Sequence, residues 1–152
     1  MRRPCSANEV LQIARKACIG SGLAVDRAED LAEAAALLQC SGHDGLAQLL
    51  VLLKGHEAAS AHLPATVQIH FVGRSTDQLK VSHLRPHIEG VAVIDWLLAN
   101  PQTGAAMIKK TDDWVMLIGL LFCAAQRYGG VFKLKAPHET EPVMIVDVSA
   151  LT

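Results

Sequence analysis

The chain has 152 residues, enough for one ordinary domain with a single sizeable core. Half of it (51%) is hydrophobic and only 19% is charged, with fourteen Lys and Arg against fifteen Asp and Glu, so no basic excess exists to track phosphates. Aromatic residues make up 4%, too few for a base-stacking platform, which together with the charge balance excludes nucleic acid as a partner.

The amino-terminal third predicts three consecutive amphipathic helices. Ser6-Ala7-Asn8-Glu9 has the form of a capping box, and Val10, Ile13, Ala14, Ala17 and Cys18 follow it at helical spacing. Gly20 and Gly22 end this helix. Asp26 opens the second, with Leu31, Ala35 and Leu38 inward, and Gly42 closes it. Asp44 opens the third, in which Leu46, Leu49, Leu50 and Leu53 form the stripe until Gly55. The three are expected to pack together, with no strand between Val10 and Leu53.

Residues from His56 to Pro64 read as a frayed helix end or loop. Thr66 to Val72 alternates, with Val67, Ile69 and Phe71 on one face, as a half-buried strand does. Ser75 or Thr76, with Asp77, caps a short helix through Val81, and Pro86 interrupts the chain. Glu89 to Ala99 reads as a helix stopped by Asn100-Pro101, and Ala105 to Lys109 as a short strand. Thr111-Asp112-Asp113 starts a helix that runs to about Tyr128, where Gly129-Gly130 release it. Val131 to Lys135 and the more apolar Val143 to Val148 read as strands joined through a hairpin loop over Pro137 to Pro142. The expectation is a single α+β domain over 1–152, a three-helix unit followed by further helices on a small mixed or antiparallel sheet.

No diagnostic catalytic motif is present, so candidate residues are weighed singly. Ser41-Gly42-His43-Asp44-Gly45 places an accessible imidazole, His43, beside a carboxylate, Asp44. The same residues also read as a plain turn, with Gly42 as helix C-cap, Asp44 as the next N-cap and His43 filling the space between. Gly73-Arg74-Ser75-Thr76 at a strand end offers Arg74, Ser75 and free N–H groups to an anionic ligand, without the full glycine fingerprint. Asp95 lies among apolar residues of a helix and Asp147 in an apolar strand; burial there would raise a carboxyl pKa, while exposure on a polar face would make either structural. Trp96 and Trp114 read as core or interface anchors.

His83-x3-His87 has the spacing of two zinc ligands on one helical face, but Pro86 breaks such a helix and no third ligand is near, so both read as exposed loop histidines. Neither a metal nor another cofactor is expected. Cys5, Cys18, Cys40 and Cys123 form no Cys-x-x-Cys pair, which suits reduced thiols in a cytoplasmic protein. The basic start Met1-Arg2-Arg3-Pro4 is not followed by the apolar core of a secretion signal. The longest apolar run, Trp114 to Ala125, is too short to span a bilayer, so no membrane is expected as a partner. That run is apolar on every side and demands burial all round. With the other apolar helices it predicts self-association as a symmetric homodimer, or else a pocket for a small molecule.

Asn8 to Leu53 resembles the opening of an uncharacterised bacterial family known only as a domain of unknown function. Glu9, Lys16, Ala17, Gly20, Gly22, Ala28, Glu29, Ala32, Gly42, Gly45 and Leu46 fit its pattern, which implies a shared fold and no particular activity. The same stretch resembles, more loosely, the helical start of the non-Rossmann malate and L-lactate dehydrogenases. There a Ser-His-Gly motif bears the catalytic histidine; here Gly42 splits Ser41 from His43 and Asp44 separates His43 from Gly45. That resemblance implies His43 as acid or base on a small hydroxy or keto acid.

Overall fold

The computed structural model describes residues 5–60, 70–71, 78–100, 105–135 and 144–149. They group into two compact units, Met1–Ala65 with Asp113–Cys123 and Thr66–Asp112 with Ala124–Thr152.

The first unit is helical. α1 (Ala7–Gly20) starts at Ser6, whose hydroxyl accepts from the Glu9 N–H while the Glu9 carboxylate accepts from the Ser6 N–H at 2.8 Å. This is the reciprocal capping box expected from the sequence, and those bonds hold the Glu9 carboxyl below its ordinary pKa. α2 (Val25–Cys40) and α3 (Gly45–Ser60) follow. α2 buries Ala28, Ala32, Ala34, Ala35 and Ala36 beside Leu31 and Leu38, and such small side chains let neighbouring helices approach closely. Part of α5 (Trp114–Tyr128) belongs here too. Its Gly119 lies so near α2 that an added Cβ would stand 3.0 Å from Leu38 Cδ1 and 3.3 Å from Ala34 Cβ.

Several expectations need correcting. Asp26 does not cap α2: Ala24 occupies the cap with no side-chain bond, and Asp26 lies in the first turn, accepting from the Arg27 N–H at 2.8 Å. In α1 only Val10, Ala14 and Cys18 are buried, leaving Ile13 and Ala17 exposed, because a stripe facing alanines is narrow. α3 continues through Gly55 to Ser60; a solvent-exposed glycine in a helix costs only about 1 kcal/mol. Leu50 is exposed while Leu49, Leu52 and Leu53 are buried. α5 is not covered all round: Met116, Leu117, Leu120 and Leu121 are buried, whereas Ile118 and Phe122 are exposed.

The second unit holds a five-stranded mixed sheet in the order β1-β2-β3-β5-β4. β1 (His70–Phe71) pairs antiparallel with β2 (Gln78–Val81), and β2 runs parallel to β3 (Ala105–Ile108). β5 (Met144–Ser149) lies between β3 and β4 (Val131–Lys135), antiparallel to both, as an interior strand following a hairpin connection should. Between β2 and β3 the chain forms a π-helical segment (Pro86–Gly90) that passes directly into α4 (Val91–Ala99). α4 buries Val93, Ile94 and Leu97 and packs over β3 and β5.

Two corrections belong to this unit. Gln78–Val81 is a strand, not the end of a capped helix: Leu79 and Val81 alternate with Lys80, and β3 supplies the pairing that four residues cannot specify alone. Pro86 starts a helical segment instead of breaking one, because at its first position the missing N–H would have no partner anyway. The expected strand residues 66–69, the loop 137–142 and the segment 72–77 lie outside the described residues.

All four cysteines are free thiols; Cys5 and Cys40 are exposed and Cys18 is fully buried. Burial pushes the Cys18 thiol from 9.0 up to about 11. Its folded-state pKa is therefore raised, so the stabilisation is intact below pH 9.0 and is lost as pH climbs from there through about 11. Unfolding free energies from urea titrations across that window should fall further for the native chain than for Cys18→Ala, by up to about 2 kcal/mol. A thiol reagent should modify Cys5 and Cys40 in the folded chain and reach Cys18 only on unfolding.

Candidate functional site

The turn around His43 is built almost entirely from helix-capping bonds. After α2, Gly42 adopts φ +86°, its N–H donates to Gln39 O at 3.3 Å, and the His43 N–H donates to Leu38 O at 2.9 Å. This is the paired Schellman arrangement that satisfies the last carbonyls of a helix. Ser41 Oγ adds a bond to Leu37 O, and Asp44 Oδ1 accepts from the Ala47 N–H at 3.3 Å as the cap of α3. α1 ends in the same way: Gly22 at φ +90° donates to Ile19 O, Leu23 N–H to Cys18 O, and Ser21 Oγ to Cys18 O. Leu23 is buried where its counterpart His43 is exposed. The Asp44 carboxylate is thus engaged with α3, and the imidazole of His43 stands in solvent.

Arg74 and Ser75 lie outside the described residues. Asp95 is exposed on α4, on a position between the buried pair Val93–Ile94 and Leu97. Asp147 is placed by its backbone in β5, opposite Ala105 and Lys133. Among the described residues no group of three or more His, Cys, Asp and Glu could hold a metal ion. His83 and His87 do not act as an i, i+4 pair: His83 is exposed in the segment after β2, while His87 is 4% exposed inside the π-helical segment and so is not the loop histidine expected.

The structure assembles a polar cluster whose central pair, His83 and Asp112, is brought together only by strand pairing. Past their last paired residues, β2 and β3 stay side by side. The Lys109 N–H donates to Val81 O at 3.0 Å, Leu84 N–H to Lys110 O at 2.8 Å and Asp112 N–H to Leu84 O at 3.2 Å, with a parallel bridge between Leu84 and Thr111. These bonds bring His83 Nε2 onto Asp112 Oδ1. Beside this pair, Arg85 caps the π-helical segment with extended backbone, as a residue before proline prefers. The buried carboxylate of Glu89 accepts from the Arg85 N–H at 2.9 Å and from its guanidinium at Nε and Nη2. In the capping box of α1 the acid stands three residues after the cap; in this wider turn it stands four. Glu89 therefore has the partners that a buried charge needs, and Arg85 is spent on it.

The His83–Asp112 pair is half exposed, so its ion-pair energy is small, roughly 0–1 kcal/mol. Its chemical interest is orientation: a carboxylate that holds one ring nitrogen fixes the direction of the imidazole and leaves the other nitrogen to a partner. Asp112 reads in the sequence as part of a helix start and His83 as half of a metal spacing. Only the parallel pairing of β2 with β3 joins them.

A family model described as "Protein of unknown function (DUF3726)" matches residues 5–97, more than half of the chain. The match extends beyond the three amino-terminal helices through β2, the π-helical segment and most of α4. No curated protein and no solved structure matches the chain. The looser resemblance to malate and L-lactate dehydrogenases is not supported.

Proposed function

The chain belongs to the family of proteins of unknown function DUF3726, and from that premise we propose that it is an accessory protein that works as a symmetric homodimer. The observation that supports this is the outer face of α5. Ile118 and Phe122, one helical turn apart, are 43% and 51% exposed. In the same unit α3 exposes Leu50 and Val51, the latter at 70%. Each such side chain left in water forgoes roughly 25 cal/mol per Å² of apolar area, and a two-fold pairing buries one patch against its own copy. Among the described residues no helix is long and apolar enough to cross a membrane. The free thiols accord with a reducing, cytoplasmic setting.

Sedimentation equilibrium or light scattering at micromolar concentration should give twice the chain mass. Phe122→Asp places a charge on the proposed interface at a site already half exposed in the monomer, and should yield a folded monomer. A native chain that stays monomeric up to high micromolar concentration overturns the proposal.

A further inference from the structure

We infer that the paired carboxyl ends of β2 and β3 bind a small oxyanion, a carboxylate or a phosphate, with His83 as the contacting group. In open α/β sheets ligands bind in the crevice beyond the carboxyl ends of parallel strands, at a switch point; by analogy the corresponding place here is the end of the parallel pair β2 and β3. Here the two segments do not splay apart. Backbone bonds of 2.8–3.2 Å keep 82–85 beside 109–112, so side chains they carry sit on a fixed frame. The register of β2 on β3 continues through the Leu84–Thr111 bridge, which sets Ser82 beside Lys109 and His83 beside Lys110.

The charges in these segments do not cancel. Arg85 is consumed by Glu89, leaving Lys109, Lys110 and His83 against Asp112 alone. Lys109, Lys110 and His83 are all exposed. The Asp112 carboxylate holds Nε2, so the ring is fixed at one end and Nδ1 is the ring nitrogen left for a ligand, a donor in the protonated imidazole. A bound oxyanion would accept from Nδ1–H of the protonated ring, with Lys110, the register neighbour of His83, supplying the field. The site does not depend on self-association.

The test is a titration of the full-length ¹⁵N-labelled chain with inorganic phosphate and, separately, acetate, at mildly acidic pH and with chloride holding ionic strength constant. Saturable shifts confined to amides of Ser82–Arg85 and Lys109–Asp112 and to the His83 ring are expected. Binding by only one of the two anions supports the site and assigns its class. His83→Gln should weaken binding about tenfold or more. Asp112→Asn should weaken it several-fold, because the ring loses the carboxylate that orients it. Amide spectra elsewhere in both variants should remain native. Shifts that never saturate, that persist in His83→Gln, or binding that tightens in Asp112→Asn as simple removal of a negative charge would produce, overturn the inference.

Discussion

Gly45→Ala should destabilise the amino-terminal unit by about 3 kcal/mol or more, although it adds one methyl group to the most helix-favourable of residues. Gly45 is the first residue of α3 and is buried against α2. A Cβ built there would overlap the carbonyl oxygen of Ala35 and stand 3.0 Å from the Ala35 carbonyl carbon and 3.1 Å from Gln39 N. Those atoms are backbone inside α2, so no rotamer change relieves the overlap; α3 must move away, taking Leu49, Leu52 and Leu53 with it. His43→Ala, two residues earlier, removes an exposed side chain and should change stability by less than about 0.5 kcal/mol. Urea unfolding followed by circular dichroism gives both numbers. A Gly45→Ala midpoint equal to the native one would refute the close approach of α3 to α2. The contrast also bears on the turn: its glycines answer to helix packing and capping, with no active-site histidine required to account for them.

What the sequence made legible is what short-range chemistry decides. Ser6 with Glu9, Gly42 at φ +86°, Asp44, Asp113 accepting from the Met116 N–H, and Gly129 at φ +73° each act within a few residues, and each marks a helix end where expected. The alternation in Val131–Lys135 likewise gave a strand. Beyond that range the signals fail for physical reasons. Gln78–Val81 is too short to declare itself a strand until Ala105–Ile108 lies beside it. Pro86 looks like a stop because a stop and a first helical position share the same fixed φ and missing N–H. His83 and Asp112 are 29 residues apart, and their meeting follows from strand pairing alone. The partnership of Glu89 with Arg85 had a local trace, an acid three residues after a proline, but it requires the π-helical register to be recognised. The glycines that flank His43 have conformational and steric reasons: Gly42 takes a positive φ and Gly45 lies against the backbone of α2.

The run Leu49-Leu50-Val51-Leu52-Leu53 poses the remaining question of phase, and it yields the second large effect. Five consecutive apolar residues satisfy a helical stripe in more than one rotation, so their order does not say which side faces inward. The structure buries Leu49 at 2% exposure and leaves Leu50 at 51%. Leu49→Ala should therefore cost about 2–5 kcal/mol, the transfer energy of the lost methyl groups plus that of the cavity left behind. Leu50→Ala removes a side chain already half in water and should cost well under about 1 kcal/mol in the monomer. Denaturant midpoints at unchanged slope separate the two; equal losses would mean that α3 is rotated about its axis from the orientation found here. The concentration dependence adds a further reading. If Leu50 lies in the homodimer interface, Leu50→Ala should lower the midpoint at high protein concentration more than at low, because association contributes to stability by mass action, while the Leu49→Ala loss appears at every concentration.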